Sequence, residues 1–265
     1  LGHDHQQRIS GHSVGPSHPP GAVDDRIDPL ELYASGIDAS DYVERIAPLL
    51  RAALPRVGDL LDVGAGGGQL GAALRDPGAA WTAIEPAPVM QTRLQALVPP
   101  PVLVPVPWRE ADLPAGFADT VLAANMAGPL TEAVPFLARC RAWARRDVVW
   151  LVPAQNGPRG LCLAGCLPRG WHGEDETPGV DIVLRHLPGA DHPPIVARVD
   201  WTFRAIVPSV PGIATYLADR LGWEAGDPRR PALSNHLAAQ AEPVPGGHRL
   251  SVPRSSALLV WRTLS

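Results

Sequence analysis

Leu60-Leu61-Asp62-Val63-Gly64-Ala65-Gly66-Gly67-Gly68-Gln69-Leu70 is the stretch that decides the fold. An apolar run delivers the backbone to an acidic residue, glycines follow at alternate positions 64, 66 and 68, and a helix-like segment begins. That order predicts a strand, a tight turn and a helix N-terminus. Glycine suits such a turn because it lacks Cβ and tolerates positive φ. The free N–H groups at the helix start favour a carboxylate or phosphate. A nucleotide-like small molecule is the expected ligand.

Two ligands compete for the turn. Gly66-Gly67-Gly68-Gln69-Leu70-Gly71 satisfies the dinucleotide pattern G-x-G-x-x-G, and Glu85 follows at about the expected ~20 residues. The register argues otherwise. A strand reading LLDV ends at Val63, so Gly64 is the first turn glycine, and Gln69 then stands where the third glycine belongs. Counted from the strand end, the pattern is D-x-G-x-G-x-G.

These residues resemble the first motif of the class I S-adenosylmethionine (SAM) dependent methyltransferases, matched by Asp62, Gly64, Gly66 and Gly68. A second motif, an acidic residue closing the next strand, is matched by Glu85 after Ala80-Trp81-Thr82-Ala83-Ile84 and before Pro86. A third, a turn before a D-x-V strand, is matched by Ala111-Asp112-Leu113-Pro114 and Asp119-Thr120-Val121-Leu122-Ala123-Ala124-Asn125. The resemblance covers about residues 40–155. It implies an α/β fold, a doubly wound Rossmann-like parallel sheet with a final antiparallel strand, and SAM as cofactor.

From SAM's shape, its ammonium and carboxylate suit Asp62 and the backbone of Gly64, Ala65, Gly66 and Gly68. Its ribose hydroxyls suit Glu85, beside Pro86. Trp108 and Arg109 are placed for the adenine slot, and Asn125 and Met126 should pass the methionine portion and the sulfonium. No catalytic base is assigned. His172, His186, His192, His236, Glu174, Asp175 and Glu176 are all candidates, each also readable as a surface residue.

Composition narrows the alternatives. The chain has 265 residues, 45% of them apolar, and a formal net charge of −4, which leaves no electrostatic footprint for nucleic acid. All 23 basic residues are arginine. Without a side-chain amine, Schiff-base chemistry, a lysine-anchored pyridoxal cofactor and a P-loop lysine are excluded. No run approaches the ~20 apolar residues of a membrane span. The polar N-terminus lacks the makeup of a signal peptide, so the cytoplasm is the expected compartment.

Residues 1–37 read as a tail, partly disordered or forming a lid. His3, His5, His12 and His18 there are not taken as a metal site. Residues 38–265 read as the methyltransferase domain. Tyr42, Ile46, Leu49 or Leu50, and Ala53 share a helical face, with Asp38 or Ser40 as N-cap and Pro48 implying a kink or break. Strands are expected near 58–63, 80–85, 102–106, 118–125 and 147–153, and helices near 69–76, 87–97 and 129–146. That alternation predicts a parallel sheet with ligands beyond its carboxyl edge.

An elaborated substrate or lid region is expected at about 155–250, with a strand at 195–207, a helix at 212–222, a Pro- and Arg-containing connection, and a final strand at 256–262. Cys140, Cys162 and Cys166 lack C-x-x-C spacing and read as reduced and structural, so no metal is expected. Asn125-Met126-Ala127-Gly128-Pro129 does not match the N-P-P-[YF]-like box of the adenine or amide-nitrogen methylases. A small-molecule acceptor is favoured, with Trp171, Trp201 and Trp223 as pocket walls or core. A non-catalytic SAM-binding assembly or regulatory protein and a protein methyltransferase are the alternatives. The sequence does not fix the oligomeric state.

Overall fold

Strand β1 (Leu60–Val63) is buried along its whole length. It pairs in parallel with β2 (Trp81–Ile84) on one side and β4 (Ala118–Ala124) on the other. The computed structural model describes residues 26–126, 128–160 and 162–263, so the four tail histidines lie outside the described residues. β3 (Val102–Val104) lies beyond β2, and β5 (Ala144–Pro153) lies beyond β4, both parallel. Helices α3 (Gln69–Leu74), α4 (Pro88–Gln95) and α5 (Ala133–Trp143) alternate with these strands. Strands covered on both faces need to be largely apolar, and β1 and β2 are buried throughout, with Asp62 and Thr82 as their polar members.

The second half completes the sheet. β6 (Ile195–Val207) and β8 (Gly247–Arg262) pair antiparallel, and β8 inserts antiparallel between β5 and β6. The order is β3-β2-β1-β4-β5-β8-β6, with a short β7 (Glu242–Val244) on β8. The doubly wound sheet with a final antiparallel strand is thus present. Among the described residues, no helix is long and apolar enough to cross a membrane.

Several boundaries differ from expectation. The supposed tail contains helix α1 (Pro29–Ala39), whose N-cap Asp28 accepts from the N–H groups of Leu30 and Glu31, with Pro29 in the first turn. Gly36 lets α1 approach β6: a Cβ there would come within 2.9 Å of Phe203 Cε1. α2 (Tyr42–Ala53) runs through Pro48 without breaking; the proline sits on the exposed face, where water can reach the carbonyl its missing N–H leaves unpaired, while Tyr42, Ile46 and Leu50 are buried. Its N-cap is Asp41, not Asp38 or Ser40, although Ser40 Oγ does accept from Tyr42 N–H.

α5 ends at Trp143, so Arg145 and Arg146 belong to β5 and not to the helix expected near 129–146. Arg145 pairs with Asp59 and Asp119, tying β5 to the amino edge of the sheet. The expected connection after α7 (Val210–Arg220) holds another helix, α8 (Arg229–Gln240), anchored by Leu233 and Leu237. Two apolar residues one turn apart behind a Pro-Arg-Arg-Pro start gave little periodic signal. The Gly- and Pro-rich stretch before β6 likewise contains α6 (Gly179–His186), which buries Val180 and Val183.

Candidate functional site

The strand order reverses between β1 and β4, and the crevice beyond their carboxyl ends is where open α/β sheets take ligands. Gly64 leaves β1 at φ +62°, and a Cβ there would come within 2.7 Å of Met126 Sδ. Gly66, at φ +58°, faces open space, with no atom within 4 Å of where a Cβ would stand. The turn is therefore a cradle that is closed by Met126 on one side and open on the other.

Glu85 ends β2 and is 6% exposed. Its Oε1 accepts from Gly66 N–H at 2.8 Å and its Oε2 from Ala87 N–H at 2.9 Å. The carboxylate thus pins the glycine turn to the start of α4, and each oxygen keeps a further lone pair.

Asp62 is 3% exposed and projects beneath the turn toward Gly71 and Trp81. Burial pushes its carboxyl up to about 7, the neighbouring Trp81 indole N–H draws it partly back, and the Glu85 charge raises it. Oδ2 and the Trp81 Nε1 nonetheless complete no hydrogen bond.

This group makes stability depend on pH. The folded chain holds the Asp62 proton more tightly than the unfolded chain, whose carboxyl titrates near the ordinary 3.8. The native state therefore binds more protons across this window, and the Asp62 contribution is lost as pH rises from about 4 to 7. For the ligand-free protein, urea unfolding should give Asp62→Asn a ΔG that falls roughly 2–3 kcal/mol less than wild type between pH 5 and 8. Parallel pH profiles for the two proteins would refute the assignment.

A cavity of ≈ 1020 Å³ spans the crevice. Asp62, Gly64, Ala65, Gly66, Glu85, Pro86, Trp108, Asn125 and Met126 all line it. Gly68 and Arg109 do not. Gly68 caps α3, and a Cβ there would come within 2.6 Å of Leu94, so its role is packing. Arg109 stacks on the Trp108 ring at 4.9 Å and pairs with Glu132, bracing the indole from outside the cavity. Trp108 also meets Phe136 edge to face at 5.0 Å.

The segment read as a tail or lid supplies the roof, through residues the sequence reading did not name. Pro29, Leu30, Tyr33 and Ile37 of α1 line the same cavity. α1 is fastened to both glycine-turn helices. Gln69 Nε2 donates to Ala34 O at 3.1 Å and Asp38 Oδ1 at 2.9 Å, while Arg93 pairs with Glu31 and, at 2.8 Å, with Asp38. The Asp28-Pro29 capping signal in the sequence could have found this helix.

Asn125 has the left-handed φ of +57°, a strained setting for a residue with a side chain. Its amide lies beside the phenols of Tyr33 and Tyr42. Burial raises both phenols, so both stay neutral, and Tyr42 Oη has no hydrogen-bond partner.

Behind Asn125 and Met126 a second chamber of ≈ 260 Å³ adjoins the first, and Tyr33, Arg159, Gly160 and Glu174 line both. Trp201 is one of its walls. Trp171 and Trp223 line neither chamber and pack against each other edge to face at 5.5 Å.

Of the candidate bases, only His172 and Glu174 reach a chamber wall. His172 Nδ1 accepts from Glu174 N–H at 3.0 Å, so its proton is on Nε2, directed at Glu176 Oε1 at 3.0 Å. Glu174 Oε1 accepts from Gly160 N–H at 2.7 Å. His186 and His192 face backbone carbonyls, and His236 faces Gln240.

No protein-family model matches the sequence, and no curated protein matches it significantly. Solved structures do resemble it. A presumed type II methyltransferase from Anaeromyxobacter dehalogenans is 18% identical, with 82% of this chain and 93% of that one covered and a TM-score of 0.51. A presumed methyltransferase from Bacillus halodurans is 11% identical, covering 83% and 99%, with a TM-score of 0.49. The magnesium protoporphyrin IX methyltransferase of Synechocystis, with SAM bound, is 12% identical, covering 89% and 86%, with a TM-score of 0.38.

Proposed function

The chain has the class I SAM-dependent methyltransferase fold, and we propose that it uses it to bind SAM and methylate a small-molecule acceptor. The observation that carries this reading is the pairing of Asp62 and Glu85 on either side of a glycine turn open to the larger chamber. These residues fit the cofactor: the Asp62 carboxylate on the chamber wall for an ammonium, a cradle that a side chain at position 66 would fill, and free lone pairs on Glu85 for a ribose.

When bound, SAM supplies a methyl group already activated by a sulfonium leaving group. The protein's share is then mostly positioning. Asp62 receives the ammonium, directly or through water, and the turn N–H groups receive the carboxylate. Glu85 accepts the two ribose hydroxyls while still holding Gly66. Trp108, stiffened by Arg109 and Phe136, walls the adenine. Asn125 and Met126 line the passage between the chambers, where donor and acceptor meet. The small volume of the second chamber favours a compact acceptor over a protein segment.

Calorimetric titration with SAM, S-adenosylhomocysteine and NAD tests this reading. Micromolar binding of the first two and none of NAD is the expected result. No SAM binding would shift the assignment to a non-catalytic scaffold. Binding of NAD alone would mean that the turn serves a dinucleotide.

A further inference from the structure

The second chamber has an uneven chemistry. Most of its wall is apolar or aromatic, including Leu130, Ile182, Trp201 and Phe203. Arg254 of β8 lines this chamber, and its guanidinium reaches toward Cys162, Tyr33 and Glu174 at the boundary with the larger one. Among the described residues Arg254 makes no ion pair. Nη2 donates to Cys162 O at 2.8 Å, Nε has no hydrogen-bond partner, and the guanidinium carbon is 5.9 Å from the centre of the Phe203 ring. One of five guanidinium donors is therefore engaged.

The groups around it leave most of its charge uncompensated. Burial raises Tyr33, and it pushes the Cys162 and Cys166 thiols up to about 11 and 12, so all three are neutral. The Glu174 carboxylate acts on Arg254 from beyond ion-pair distance, and its Oε1 is held by the Gly160 N–H. The same burial lowers the pKa of Arg254 itself, yet a guanidinium in a protein keeps its proton. A part-buried, under-coordinated cation in the wall of a mostly apolar chamber is a costly arrangement unless an anion completes it.

Building on the reading that this chamber holds the methyl acceptor, we propose that the acceptor is a compact apolar or aromatic carboxylic acid. Its carboxylate is received by Arg254, and its nucleophilic atom points back to Asn125 and Met126. Planar guanidinium donors match a carboxylate in two-pronged fashion. Transfer then forms a bond from an acceptor lone pair to the methyl carbon as the carbon–sulfur bond breaks. The sulfur keeps that electron pair as a thioether, and the acceptor atom, if protonated, releases its proton to water or to Glu174 at the shared mouth.

The test uses the full chain saturated with S-adenosylhomocysteine, titrated with benzoate, phenylacetate and indole-3-acetate and with the three matching amides. The expected result is at least one acid binding about 10-fold or more tightly than its amide. Arg254→Met should bring that ratio to within about 2-fold, while Arg254→Lys keeps part of it. The S-adenosylhomocysteine affinity, measured separately on each variant, reports that the fold is intact. Amides binding as well as acids, no acid binding at all, or an acid preference surviving in Arg254→Met would each overturn the proposal. Failure of S-adenosylhomocysteine to bind wild type would instead strike the cofactor reading, and the acid-to-amide ratio would still be read on the ligand-free protein.

Discussion

Glu85→Ala is expected to weaken SAM binding by about 100-fold or more in calorimetry, with the far-ultraviolet circular dichroism unchanged. The size follows from two charge-assisted hydrogen bonds to the ribose, each worth roughly 1.5–3 kcal/mol. The same carboxylate holds Gly66 N–H at 2.8 Å and Ala87 N–H at 2.9 Å, so part of the loss comes from a loosened glycine turn. Glu85→Gln separates the two effects. It keeps an acceptor for one of the two backbone N–H groups and loses the charge, so an intermediate loss of about 10-fold is expected. An unchanged dissociation constant in a folded Glu85→Ala protein would sink the ribose assignment.

The second large effect belongs to Gly71→Ala, and it is structural. A methyl group at position 71 would collide with Asp62 Oδ2 and come within 2.7 Å of Trp81 Cζ2. Both neighbours are buried, in adjacent strands, and cannot retreat. Overpacking at such a place costs typically about 1–3 kcal/mol, and here a carboxylate is displaced as well. The urea midpoint should fall accordingly, and SAM affinity should fall with it because Asp62 moves. Gly226→Ala is the control: it has no atom within 4 Å of the new methyl and an ordinary φ, and its midpoint should barely shift. Equal midpoints for both variants would show that Asp62 and Trp81 are not rigid beneath α3.

Gly71 also explains why two motifs overlapped in the sequence. Gly66, Gly68 and Gly71 satisfy a dinucleotide pattern, yet in the structure Gly71 serves close packing of α3 on β1, while the turn begins at Gly64, as the register of β1 requires. Local chemistry made this part legible. An apolar run, alternate glycines and a strand-ending acid each constrain the backbone wherever they occur, so β1, β2, β4 and β5 and most of the crevice followed from them.

The rest was hidden for definable reasons. α1 interrupts its apolar residues with Ser35 and Gly36 and needs Gly36 to sit against Phe203, a contact that joins residues far apart in the chain. α8 offers only Leu233 and Leu237 as anchors. Arg254 reads in sequence as one more polar residue of a strand-like run. Only the pairing of β8 with β6 turns it toward a chamber walled by Phe203. Gly68 and Arg109 were placed by their neighbours in the motif, and motif adjacency does not say which way a residue faces.

Tyr33 is a wall of both chambers, and the helix that carries it is latched to α3 and α4 from outside. Two ligands that each contact one helix are thermodynamically linked through it. Any shift of Tyr33 that one ligand makes changes the wall the other meets, and the resulting change in affinity is the same in either direction.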